Sequence, residues 1–127
     1  MDKIKTFMAI AIFAILGAWA RYGQTLVVEN VLGQSFPWAT FSINILGSFV
    51  MGFLFFETLE RLTVSPILRT GLLTGFLGAY TTFSTFSLES LHLLGRGETG
   101  YAALYMFGSL FLGVGAAFAG GALSRHA

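Results

Sequence analysis

Apolar positions run along this chain in long blocks with sparse polar punctuation, and an uncharged apolar run of 18 or more residues is long enough to cross a bilayer as a helix. Four such runs occur. The first follows Lys5, is uncharged from Thr6 to Ala20, is interrupted by Arg21, resumes from Tyr22 to Val28 and ends at Glu29-Asn30. The second is uncharged from Asn30 to Phe56, with its helix entered near Pro37. Proline suits a first turn, where its missing N–H would be unpaired anyway. The third runs from Thr70 to Leu88, entered from Pro66, and the fourth from Thr99 to Ser124. These runs predict spans over about 4–28, 37–57, 66–92 and 99–124. The connections fall near Glu29 to Phe36, Arg61 to Ser65 and Leu94 to Glu98, short enough to make consecutive helices antiparallel neighbours. The expected fold is a single all-α membrane domain of four transmembrane helices.

Composition sharpens that picture. Of 127 residues, 55% are hydrophobic and only 10% charged, against about 25% charged in a soluble domain. Most of the chain therefore cannot face water, and four spans leave no room for an extramembrane catalytic unit. The net charge of +1 provides no field for nucleic acid, and the absence of Cys excludes disulfide and thiolate chemistry. Lys3, Lys5, an apolar core and Ala18-Trp19-Ala20 imitate a cleavable secretory signal. Cleavage would discard a helix that continues beyond Arg21, so the segment is read as a true first span. With both termini on one side, Lys3, Lys5, Arg61, Arg69 and Arg125 fall together against Arg96 and Arg21, a bias that places the termini in the cytoplasm.

Small residues recur every four positions in the membrane runs. Ser109, Gly113, Ala117 and Gly121 form one stripe, and Ser48/Gly52 and Gly71/Gly75 form two more. Such stripes let helix backbones approach closely. They serve packing within one chain or between copies; three separate faces on four helices predict some use between copies, and hence an oligomer, most simply a dimer.

The third run carries polar text at membrane depth: two Gly, the pair Thr81-Thr82, then Phe83-Ser84-Thr85-Phe86-Ser87. Gly freedom and β-branching weaken a helix there, which predicts a break near 78–82. Non-helical backbone at that depth is tolerated where it lines a cavity, and its freed carbonyls can coordinate a cation. The alternative is an intact helix whose hydroxyls bond back to their own carbonyls. Phe83 and Phe86 share a face of the helix that resumes, and aromatic rings present a positive edge to an anion; a Phe pair at this spacing is otherwise ordinary core. Asn44 lies inside the second span, either as interhelical glue or as an N–H donor to a passing anion. Arg21 is either a snorkelling anchor or a vestibule charge. Tyr105 and Ser109, one turn apart, offer hydroxyls on one face. Glu89, at the end of the third run, is solvated or pairs with Arg21 or Arg96. His92 and His126 are too isolated for a metal site, and no phosphate-binding Gly motif or nucleophile–base pair occurs, so no enzyme is expected.

Gly17-Ala18-x-x-Arg21-Tyr22, Asn44-x-x-Gly47 and above all Gly75-Phe76-x-Gly78-x-x-Thr81-Thr82-Phe83-Ser84-Thr85-Phe86-Ser87 resemble the CrcB/Fluc family of bacterial fluoride channels, over essentially the whole chain. The resemblance implies an antiparallel, dual-topology homodimer in the bacterial inner membrane, with two fluoride pores; this differs from the single orientation that the Lys/Arg count favours, and the resemblance is followed. It also implies a central structural Na⁺ held by main-chain carbonyls, which carry over to Gly78 and Thr81. The aromatic pore residues become Phe83 and Phe86, the pore amide Asn44, and the polar track of the last helix begins at Tyr105 and Ser109. Where some relatives carry further hydroxyls on that stripe, this chain has Gly113 and Ala117.

The implied activity is passive export of cytoplasmic fluoride. A small proton-coupled multidrug exporter is the alternative, but such exporters look like they need a carboxylate deep in the first helix, and none occurs between Asp2 and Glu29. A non-transporting assembly subunit would explain the small-residue faces but leaves Asn44 and the broken helix unused.

Overall fold

The computed structural model describes residues 2–61 and 64–126. Every regular element among them is helical: α1 (Asp2–Leu32), α2 (Trp38–Phe56, continued by a π-helical turn Glu57–Arg61), α3 (66–80, π-helical over Gly71–Leu77), α4 (Phe83–Gly95) and α5 (Thr99–His126). The second predicted loop, Arg61 to Ser65, falls largely on Leu62 and Thr63, outside the described residues.

The ends of these helices follow local chemistry. Gly33 adopts φ +77°, a conformation open to glycine, and closes α1 with its N–H on the Glu29 carbonyl at 2.9 Å. Pro66 opens α3 behind Ser65, whose hydroxyl accepts from the Leu68 N–H at 3.1 Å. α1, α2 and α5 are each long and apolar enough to cross a bilayer. The third predicted span differs, because it is divided into α3 and α4. Neither piece alone reaches across a hydrocarbon core about 30 Å thick.

Packing is mainly α2 on α5 and α1 on α3. At the first interface, a Cβ on Gly52 would overlap the Ala117 carbonyl and one on Gly120 would overlap the Phe49 carbonyl, so the two backbones touch directly. At the second, Gly75 lies against Ile10, Gly71 against Phe13, and Gly17 against the Phe76 carbonyl. Of the two roles weighed for the small-residue stripes, Gly52, Ala117, Gly71 and Gly75 take the packing role within one chain. The dimer inference therefore loses that support. Gly120→Ala is expected to wedge α2 from α5 and destabilise the protein by roughly 1–3 kcal/mol in mixed-micelle unfolding. Gly115→Ala, where a Cβ would meet nothing within 4 Å inside α5, should stabilise by roughly 0.5–1 kcal/mol or leave stability unchanged in the same measurement.

The break between α3 and α4 falls at Thr81 (φ −80°, ψ 158°) and Thr82 (φ −148°, ψ 124°), both extended. Gly78 remains helical at φ −62°, ψ −36°. The interruption thus comes from the β-branched pair, for which extended backbone is favourable, and not from glycine freedom. Thr82 then caps α4, its hydroxyl accepting from the Thr85 N–H at 3.3 Å. The end of α3 is held by side chains: the Tyr80 hydroxyl donates to Gln24 Oε1, and Gln24 Nε2 donates to Ser42 Oγ at 3.1 Å.

Candidate functional site

Asn44 joins α2 to the break. Its Nδ2 donates to the Thr82 carbonyl and its Oδ1 accepts from the Thr82 N–H, both at 2.9 Å. The side-chain amide thereby pairs with extended backbone as a neighbouring strand would, satisfying two main-chain groups that the broken helix cannot. The interhelical role weighed for Asn44 is thus present. Its amide group has a second N–H, and the residue also lines the two grooves beside it.

The first groove, about 280 Å³, gathers Asn44, Ser48, Phe83, Phe86, Ser109 and Gly113 from α2, α4 and α5. Phe83 and Phe86 share it, with ring centroids 5.8 Å apart. Phe83 is 79% exposed on the single chain, whereas Phe86 is half-buried and leans on the Tyr105 ring at 5.0 Å. The Ser109 hydroxyl is buried and unpartnered. An adjoining groove of about 320 Å³ shares Asn44, Ser48 and Phe83 and adds Thr81, Thr82 and Met51.

Tyr105 does not join Ser109 in the groove. It is fully buried, and its hydroxyl donates to Glu89 Oε1 at 2.8 Å. Glu89 therefore has a tyrosine as its hydrogen-bond partner rather than either arginine considered for it. Arg96 pairs with Glu98 at 3.2 Å, and Arg21 sends its Nε to the Ala79 carbonyl at 3.1 Å. Arg21 also borders a cavity of about 300 Å³ with Thr40, Thr82, Thr85, Glu29 and Glu89. Its charge is half-buried and attached to the last turn before the break.

The break leaves bare carbonyls. In a continuous helix the Gly78 carbonyl would accept from the Thr82 N–H and the Thr81 carbonyl from the Thr85 N–H. Those N–H groups go instead to Asn44 Oδ1 and Thr82 Oγ1. Gly78 lies on the exposed surface, where a Cβ would meet nothing nearer than the Leu73 carbonyl at 3.8 Å. The expected cation ligands thus sit outside any intrachain hydrogen bond among the described residues.

Ser48, Thr85 and Gln24 are the site residues that sequence reasoning missed. Ser48 was visible only as a small residue, although it follows Asn44 by four positions and so shares its face of α2. Gln24 was a polar residue inside an apolar run, the same signal that singled out Asn44.

Residues 8–121 match the family model described as CrcB-like protein, Camphor Resistance (CrcB). The chain belongs to the CrcB family. A CrcB relative from Acidithiobacillus ferrooxidans, named Fluoride-specific ion channel FluC, is 71% identical over 94% of this chain and 96% of its own length. Relatives of the same name from Magnetococcus marinus and Thermus thermophilus are 47% and 44% identical, over 91% and 92% of this chain and 94% and 93% of theirs. The similarity to these CrcB proteins spans every helix described above, and the chain is accordingly a multi-pass bacterial membrane protein.

Proposed function

We propose that this chain is a passive, fluoride-selective ion channel of the bacterial inner membrane and not an enzyme. The observation that carries the reading is the groove at the helix break, taken together with relatives named for fluoride conduction. Fluoride is a compact, strongly hydrated acceptor, so a pore must replace its water with O–H, N–H and ring-edge donors while excluding larger halides by width. The groove supplies the unpartnered Ser109 hydroxyl, the Asn44 amide and the edges of Phe83 and Phe86. No energy source is required. Fluoride enters a cell as the neutral acid and dissociates inside, and the membrane potential then drives the anion out.

The working unit in this reading is an antiparallel, dual-topology homodimer with two pores. The grooves lie open on one chain, and a second copy supplies their missing wall. The bare Gly78 and Thr81 carbonyls of each subunit would hold one structural Na⁺ at the dimer centre. Carbonyl oxygens suit a hard cation, and two per chain are too few to cage it. Bound there, the ion would neutralise inward-facing carbonyl dipoles and fix the break; it is not transported. Arg21, at the neighbouring cavity, would attract anions towards the path. Tyr105 would bear on the path from behind, its ring packed on Phe86 while its hydroxyl is held by Glu89.

Because Gly78 has room for a side chain within its own chain, Gly78→Val is expected to leave the monomer fold intact. It should still weaken the dimer on size-exclusion chromatography and abolish efflux. Unchanged dimer and efflux would remove the cation from this position. The channel reading itself is tested by fluoride and chloride electrodes on liposomes containing purified protein: fluoride should leave rapidly, chloride should not, and retention of both would refute it.

A further inference from the structure

Hydroxyls in these helices usually have an occupation. Thr25, Thr58, Ser87 and Ser90 each donate to the carbonyl four residues back in their own helix, at 2.6–2.9 Å. Ser109 does not, its Oγ being buried without a partner. Ser48 does not either: its hydroxyl makes no hydrogen bond among the described residues. Both serines line the groove that holds Asn44, Phe83 and Phe86, and Ser48 also lines the adjoining groove with Thr81 and Thr82, so it stands where the two meet.

The position matters because α5 has no hydroxyl to offer beyond Ser109 along its stripe, where Gly113 and Ala117 follow. A Cβ built on Gly113 would have one heavy atom within 4 Å, the Ser48 Oγ at 3.8 Å. The hydroxyl of Ser48 on α2 therefore lies beside the α5 position that lacks a side chain.

We propose that Ser48 is a further fluoride-contacting residue, carrying the hydroxyl track from Ser109 on α5 across to α2 beside Gly113. The inference rests on the channel reading and adds a residue to it. A fluoride ion leaving Ser109 needs another donor within one short step, since an apolar gap would demand rehydration. Ser48 presents an O–H that no acceptor among the described residues occupies, on the same face as the Asn44 amide.

The test moves the hydroxyl from one helix to the other. Fluoride efflux is measured with an electrode on liposomes carrying the parent, Ser48→Ala, and the double variant Ser48→Ala/Gly113→Ser. Ser48→Ala is expected to elute as the parent does and to slow efflux about tenfold, and the double variant to recover to within about threefold of the parent. Parental efflux from Ser48→Ala would overturn the assignment. So would slowing that Gly113→Ser fails to relieve, which would make Ser48 a packing residue. Aberrant elution of Ser48→Ala would also overturn it, because an unengaged hydroxyl should not support the fold. A parent that releases no fluoride refutes the channel reading itself, which separates that failure from failure of Ser48 alone.

Discussion

Fluoride efflux from liposomes carrying Phe83→Ile or Phe86→Ile protein is expected to fall by about tenfold or more, while each variant still elutes as the parent does. Isoleucine keeps much of the bulk and apolarity of phenylalanine but lacks the positive ring edge. Removing about 1.4 kcal/mol of stabilisation at the barrier suffices for a tenfold loss. The geometry makes the two substitutions unequal for stability. Phe83 is 79% exposed on the single chain and contacts Phe86 at 5.8 Å, so its replacement removes little intrachain packing. Phe86 also leans on Tyr105 at 5.0 Å, and losing that ring pair costs roughly 0.5–1.5 kcal/mol, short of unfolding. Phe53→Ile and Phe111→Ile serve as controls, since neither side chain borders the grooves at the break, and both should conduct near normally. Parental conduction by both pore variants would make the aromatic pair ordinary core.

Asn44→Leu is expected to damage fold and transport together, unlike the phenylalanine changes. The side chain carries two 2.9 Å hydrogen bonds to Thr82, and leucine would leave both the Thr82 N–H and its carbonyl unpaired at membrane depth. Unsatisfied buried groups cost roughly 1–3 kcal/mol each, so a loss of about 2–4 kcal/mol in mixed-micelle unfolding should accompany near-complete loss of efflux. Asn44→Asp separates the contributions. Its carboxylate still accepts from the Thr82 N–H but repels the Thr82 carbonyl, so it should fall between parent and leucine in stability and yet conduct poorly, with a negative charge beside the anion path. A leucine variant as stable as the parent would show that the clamp contributes nothing to the break.

The long helices were legible because charge is expensive in lipid: the uncharged runs bounded by Lys5, Glu29, Glu57 and Glu98 mark α1, α2 and α5 to within a few residues. The break was legible too, and so was the β-branched half of its cause; the clamp that holds it was not. Glycine freedom and β-branching both pointed to the stretch 78–82, and the extended residues are the β-branched Thr81 and Thr82 while Gly78 stays helical; Asn44 then clamps Thr82 from 38 positions away in sequence. Local propensity cannot report a long-range hydrogen bond. Small-residue spacing identified faces that approach closely without saying which helix approaches, and α2 with α5, and α1 with α3, took those faces within the chain. Tyr105 and Ser109 share a face by spacing, yet a buried phenol must find an acceptor, and Glu89 on α4 draws its hydroxyl out of the groove. What sequence periodicity conveys is direction around one helix; what it omits is the partner waiting there.

The central claim, passive conduction selective for fluoride, is tested most directly by the reversal potential of the purified protein in a planar bilayer. The current is measured with a fluoride gradient across the membrane, chloride equal on both sides, and pH then made unequal. The account predicts a current that reverses at the fluoride equilibrium potential and stays there when the pH gradient is imposed. Reversal that follows the proton gradient, or no current under a fluoride gradient, would contradict it.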